Sequence, residues 1–118
     1  MTLREFYNKI GSSIDPVLSL MGGSERIVGK FVRKFPNDPS AAELFRTFES
    51  KDFETAFRMA HTLKGVCLNL GFDKLRESAA TLTEALRDTV DDNAPELLEE
   101  VRRNYDEVIS AISEIDDA

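Results

Sequence analysis

The chain contains a single histidine, His61, and its position in a predicted helix makes it the first candidate for chemistry. It lies in the segment 53–70, FETAFRMAHTLKGVCLNL, which has the 3.6-residue apolar period of a helix. On a helical wheel of about 100° per residue, the apolar side chains form one stripe: Phe53, Ala56, Ala60, Leu63, Cys67 and Leu70. His61 points about 120° away from the centre of that stripe. We therefore expect its imidazole to face solvent or the rim of the core.

Two residues beside His61 favour chemistry on an anion. Lys64 follows His61 by three residues and is therefore its neighbour on the helix surface. Gly65 lies nearly opposite the apolar stripe, although a glycine inside a helix costs about 1 kcal/mol relative to alanine. A glycine that permits close helix crossing would lie on the apolar side instead. We expect that Gly65 keeps the approach to the imidazole open.

Three further residues are candidates for contact with a partner protein: Phe57, Arg58 and Leu68. Leu68 lies seven residues after His61 on nearly the same face. A half-exposed leucine there suits docking, although isolated exposed leucines are common and need no function. Phe57 lies at the edge of the apolar stripe. Arg58 precedes His61 by three residues and could meet a bound anion, but an ordinary solvated charge is the favoured interpretation.

The chemistry that suits this group of residues is phosphoryl transfer. A neutral imidazole is a nucleophile near neutral pH, and its attack on a phosphoryl group gives a phosphoramidate with a charge near −2. Lys64 would offset part of that charge. The chain has no P-loop, no Gly-rich nucleotide loop and no kinase motif set, so it lacks the means to bind and activate ATP. The predicted role is that of a carrier, with the machinery supplied by another protein.

The segment 60–71, AHTLKGVCLNLG, resembles the signature of histidine-containing phosphotransfer (Hpt) domains, His-x-Leu-Lys-Gly followed by small residues and a Leu-Gly turn. The resemblance extends weakly into 51–53 and 72–87, and with the helical pattern it covers most of 24–115. Val66 and Cys67 stand where alanine or serine is more familiar. Cys67 lies on the apolar stripe and is predicted to be a small buried hydrophobe.

The resemblance implies a four-helix bundle with His61 as an exposed phosphoacceptor, Lys64 assisting the phosphate and Gly65 giving access. It implies a partner, the receiver domain of a response regulator or hybrid histidine kinase, whose aspartate and Mg²⁺ provide the other half of the transfer. It implies no cofactor bound by the chain itself.

Length and composition limit the alternatives. The 118 residues suffice for one domain, 1–118. One histidine and one cysteine exclude a multi-histidine metal or haem site and an intrachain disulfide. The single cysteine fits a reducing compartment, and with no apolar run near ~20 residues and no signal-peptide pattern we expect a cytoplasmic protein. The net charges of 1–50, 51–76 and 77–118 are +1, +2 and −10. This distribution disfavours nucleic acid and anionic membranes as partners.

The apolar periodicity is helical throughout, and the expected fold is all-α. The predicted helices are about 24–35, 40–50, 53–70, 73–89 and 94–115, preceded by short N-terminal helical additions. The predicted start and stop signals are Ser24, Ser40 with Glu43, Asp52, Gly71, Asp73, and Asn93 with Glu96. Short turns between amphipathic helices predict an antiparallel four-helix bundle with its core in about 24–115.

Two other functions stay open at this point. A helical adaptor could bind a partner through the same face without phosphochemistry, using Phe57 and Leu68 as anchors. An enzyme such as a phosphohydrolase could use His61 as base or nucleophile, but no carboxylate lies within four residues of it to orient the ring. We expect a monomer. The sequence identifies neither the donor nor the acceptor, and it does not distinguish a free-standing protein from a domain of a larger kinase.

Overall fold

The structure is a computed structural model that describes residues 1–116. These residues form seven α-helices and no strand: α1 (Leu3–Lys9), α2 (Asp15–Leu20), α3 (Glu25–Lys34), α4 (Ser40–Glu49), α5 (Phe53–Leu70), α6 (Asp73–Ala85) and α7 (Ala94–Ile112). A short 3₁₀ turn at Phe35–Asn37 links α3 to α4. The predicted all-α class is confirmed, and the short N-terminal helices are α1 and α2.

Both ends of α5, the helix that bears His61, are fixed by the predicted signals. The Asp52 carboxylate accepts a hydrogen bond from the Thr55 backbone N–H at 3.2 Å. At the other end Gly71 adopts the left-handed conformation with φ of 71°, which glycine tolerates best. A side chain at Gly71 would also collide with Val17. The length and end points of α5 are therefore encoded locally.

Helices α4, α6 and α7 begin where predicted, at Ser40, Asp73 and Ala94, but the side-chain caps predicted for them are absent. Ser40 is the buried first residue of α4, and its hydroxyl donates to the Asp38 carboxylate instead of capping the helix. Asp73 is the first residue of α6, and its backbone N–H donates to the Ser12 hydroxyl at 3.2 Å. Asn93 precedes α7 but makes no side-chain cap. The side chains of Asp38, Ser12 and Asp91 accept from the backbone N–H groups of Ser40, Asp73 and Asn93 instead.

Two helices also end earlier than predicted. Helix α6 stops at Ala85. The backbone N–H of Asp91 donates a hydrogen bond to the Ala85 carbonyl at 2.9 Å. Helix α7 stops at Ile112, and the chain continues as a turn through Ile115. The apolar period continues past both ends because Leu86 and Ile115 still pack on the core.

Helices α4 to α7 pack in chain order, α4 on α5, α5 on α6 and α6 on α7. Phe45 of α4 meets Tyr105 of α7 with ring centroids 5.9 Å apart. One hydrophobic core joins all of these helices and also includes buried residues of α1 and α2. No helix among the described residues has the length and apolarity that a membrane span needs.

The N-terminal helices close one end of the bundle. The Tyr7 hydroxyl of α1 is buried and donates to the Leu70 carbonyl at 2.6 Å, so it satisfies one of the carbonyls left without a partner at the end of α5. The rings of Phe6, Tyr7 and Phe72 pack edge to face and tilted around the turn that follows. These contacts hold the C-terminal end of α5 in place along the helix axis, and burial of its apolar stripe fixes the rotation of α5 about that axis.

Candidate functional site

His61 lies on the solvent side of α5. Its side chain is exposed, whereas Ala60 and Leu63 on the opposite side have no exposed surface. The wheel therefore predicted the orientation of the imidazole correctly. The ring is held outward because rotating α5 would expose its apolar stripe to water, which the hydrophobic effect opposes.

Gly65 lies one turn after His61 with open space beside it. A Cβ atom built on Gly65 would meet nothing within 4 Å among the described residues. A packing role for this glycine is therefore excluded, because a packing glycine would have a neighbouring atom where the side chain would go. Because Gly65 has no side chain, the protein surface next to the imidazole protrudes less than it would with any other residue at this position.

The two cations near His61 differ in their surroundings. Arg58 is exposed, and its guanidinium lies 3.3 Å from Glu54 Oε1 and 3.3 Å from Thr55 Oγ1. This engagement within its own helix agrees with the interpretation of Arg58 as an ordinary solvated charge. Lys64 is half-buried and takes part in none of the ion pairs between described residues. Its ammonium lies one helical turn from His61.

The two predicted apolar anchors are also unequal. Leu68 is 63% exposed and so lies outside the core. Phe57 is half-buried, and the guanidinium carbon of Arg87 lies 5.2 Å from the centroid of its ring. A partner could therefore contact Leu68 directly, whereas Arg87 covers part of the Phe57 ring.

Sequence reasoning missed an ion pair near His61 that joins Glu84, in the last turn of α6, to Arg87, which follows the end of that helix. Arg87 donates to Glu84 through two hydrogen bonds, of 2.8 and 3.0 Å. These bonds lower the pKa of the Glu84 carboxyl, and the charges of Lys64 and His61 lower it further. Arg87 also lies over the ring of Phe57, which precedes His61 by one helical turn, so the Glu84–Arg87 pair lies near the turn of α5 that leads to His61. Folding the sequence about the Gly71 turn would have placed these residues at the level of His61.

Sequence reasoning also missed an apolar groove beside α5. Leu20, Ile27 and Phe31 of α2 and α3 are 65%, 44% and 46% exposed. The groove measures about 500 Å³, and its apolar lining comes from α2, α3, the 3₁₀ turn and α5: Leu20, Met21, Phe31, Phe35, Val66 and Leu70. Asn69 also lines the groove and lies one helical turn after Gly65, so the groove borders the face that contains His61 and Gly65. The helical spacing of Ile27 and Phe31 in α3 was the available signal.

Cys67 is a buried structural residue. Cys67 has no exposed surface, and burial raises the pKa of its thiol to about 12. It remains a neutral thiol and packs as the predicted small hydrophobe. Among residues 1–116, no cluster of His, Cys, Asp and Glu side chains is arranged to hold a metal ion.

Comparison with known proteins adds one match. The family model described as the Hpt domain matches residues 26–111, a range that begins in α3 and includes α4, α5, α6 and nearly all of α7. No curated protein and no solved structure matches the chain.

Proposed function

The chain belongs to the Hpt domain family and so has a histidine phosphotransfer role in phosphorelays; from this premise we propose that His61 is the residue that accepts and passes on the phosphoryl group. One observation supports this assignment above the others. The family acts through a histidine, His61 is the only histidine of the chain, and its side chain is exposed. Members of the family are phosphocarriers and interact with receiver domains.

The proposed donor is an aspartyl phosphate of a receiver domain. A lone pair of the neutral imidazole attacks phosphorus in line with the leaving carboxylate. The N–P bond forms as the O–P bond breaks, and the aspartate departs with the bonding electron pair. The other ring nitrogen keeps its proton. Because the reverse step has the same geometry, a second receiver can take the phosphoryl group from His61.

Lys64 and Gly65 have complementary proposed roles. Phosphorylation places a charge near −2 on the ring, and the ammonium of Lys64, one turn away, offsets part of it. Gly65 leaves open space beside the ring, and the receiver needs that space because its aspartate must come within bonding distance of the imidazole. Neither residue reacts, so the chain acts as a carrier and the receiver supplies the catalytic groups.

The proposed docking surface centres on Leu68 and includes Phe57 and Arg58. Leu68 offers apolar area that is 63% exposed in the free protein, and its burial against the receiver would favour association. The apolar groove between α3 and α5 extends this surface on the other side of Gly65. We propose that a monomer presents this face to one receiver at a time.

Transfer of label from a receiver tests the proposal. The chain is incubated with a receiver domain phosphorylated by ³²P-labelled acetyl phosphate, and label on each protein is followed by gel autoradiography. We expect label on the wild type and none on His61→Gln. Absence of label on the wild type, or equal label on both proteins, would remove the proposal.

The same variants distinguish the adaptor alternative. An adaptor would bind its receiver equally well as wild type or His61→Gln, and Leu68→Asp would abolish binding while no label is ever transferred. A phosphocarrier instead loses transfer in His61→Gln and retains receiver binding. Binding measured by calorimetry beside the transfer assay separates the two.

A further inference from the structure

The ion pair between Glu84 and Arg87 lies at the C-terminal end of α6, where Glu84 is in the last turn and Arg87 follows the helix. Arg87 stacks over Phe57, with 5.2 Å between the guanidinium carbon and the ring centroid. Phe57 is one helical turn before His61 on α5. The same guanidinium donates to both oxygens of Glu84, at 2.8 and 3.0 Å.

The register of the two helices places Glu84 nearest to His61. Helices α5 and α6 pack against each other and run in opposite directions around the turn at Gly71. The guanidinium of Arg87 lies over Phe57 and is hydrogen-bonded to Glu84, so Glu84, in the last turn of α6, lies near the turn of α5 that runs from Phe57 to His61. The effect of the Lys64 and His61 charges on the Glu84 carboxyl agrees with this register.

We propose that this pair is a charge switch: Arg87 is held by Glu84 while His61 is unmodified, and it exchanges Glu84 for the phosphoryl oxygens when His61 is phosphorylated. The inference rests on the proposed function and adds to it a second cation and an opposing anion. Lys64 remains the cation on the helix of His61 itself, and Arg87 becomes a cation from the facing helix.

Charge and geometry both favour the exchange. A phosphoryl group with a charge near −2 attracts a guanidinium more strongly than a carboxylate does. The planar guanidinium can donate two parallel hydrogen bonds to either partner. The side chains of Arg87 and Glu84 are 47% and 65% exposed, and an exposed pair of this kind adds little to stability. The exchange therefore requires only rotation of side chains.

The switch predicts opposite effects for the loss of its two members. Removing the Glu84 charge removes a repulsion and frees Arg87, so Glu84→Gln should favour the phosphohistidine. Removing the Arg87 charge should disfavour it. For one unit charge about 8 Å from a charge near −2, a distance typical of packed helices, Coulomb's law in water gives about a fivefold change in the equilibrium constant. The change should shrink as salt increases.

A matched ion pair on α7 provides the control. Glu99 and Arg102 are also three residues apart and paired at 3.4 Å, and Arg102 also lies over a phenylalanine, 4.2 Å from the centroid of Phe45. Helix α7 packs on α6 and meets α4 through Phe45, away from the His61 face. Glu99→Gln and Arg102→Gln therefore remove the same charges without touching the proposed switch.

The experiment measures the equilibrium between phosphohistidine and receiver aspartyl phosphate by ³¹P NMR at low salt, for the wild type and the four variants. We expect about fivefold more phosphohistidine with Glu84→Gln, about fivefold less with Arg87→Gln, and wild-type values for both controls. Shifts in the same direction for the two α6 variants, or no shift, would overturn the switch while leaving His61 as the acceptor. A wild type that takes no phosphoryl group would overturn the proposed function itself.

Discussion

Replacing Gly65 should make the protein more stable and less active at once. A Cβ at this position meets nothing within 4 Å among the described residues, so alanine fits without a clash. Glycine inside an exposed helical turn costs about 1 kcal/mol relative to alanine. For an unfolding entropy of about 2.1 cal/mol/K per residue, Gly65→Ala should raise Tm by about 4 °C.

The larger change Gly65→Gln tests the access role of the glycine. Glutamine is also a better helix former than glycine, so the bundle should melt no lower than the wild type. Its side chain would fill the space beside the imidazole and keep the receiver from the ring. Since a displacement of about 1 Å can slow a positioned reaction about 10²-fold, we expect at least a tenfold slower transfer.

The assay pairs thermal unfolding by circular dichroism with the initial rate of transfer from a phosphorylated receiver. Gly29→Ala is the control, because Gly29 is also helical but lies against Leu3 and Arg33, and its transfer rate should equal that of the wild type. A Gly65→Gln protein that melts lower than the wild type and transfers at the normal rate would refute the reasoning, because that pattern belongs to a packing residue.

Three further predictions concern single side chains. Lys64→Ala should reduce the yield of phosphohistidine about fivefold at low salt, because it removes one unit charge beside a charge near −2. The unfolding curve should stay unchanged. An unaltered yield in the transfer assay would make the cation incidental. Gly71→Ala should destabilise the protein by about 1–3 kcal/mol in urea unfolding, because alanine is strained at a φ of 71° and collides with Val17; wild-type stability would show that the turn can rearrange. Cys67 should react with a thiol reagent at pH 8 only on unfolding, because burial raises the pKa of its thiol to about 12; rapid reaction of the native protein would contradict its burial.

The sequence predicts well those features that depend on neighbours along the chain. The limits of α5 follow from a carboxylate at Asp52 and a glycine at position 71 that tolerates positive φ. The outward direction of His61 follows from the apolar period of one helix. The access role proposed for Gly65 rests on the same helical period, and the open space beside Gly65 agrees with that role.

The features that the sequence did not predict depend on contacts between distant segments. Ser12 satisfies the backbone N–H at the start of α6 from 61 positions away. The Glu84–Arg87 pair lies beside His61 only because α6 folds back along α5. Local pattern cannot place such partners, since their distance is set by the turn and by packing.

The most direct test of the central claim is the location of the phosphoryl group on the chain. The wild-type protein is exposed to a receiver charged with acetyl phosphate, digested under neutral to alkaline conditions and sequenced by tandem mass spectrometry, with a parallel sample treated with acid. The account predicts one acid-labile phosphoryl group on the ring of His61. A phosphoryl group on another residue, or one that survives acid, would contradict it.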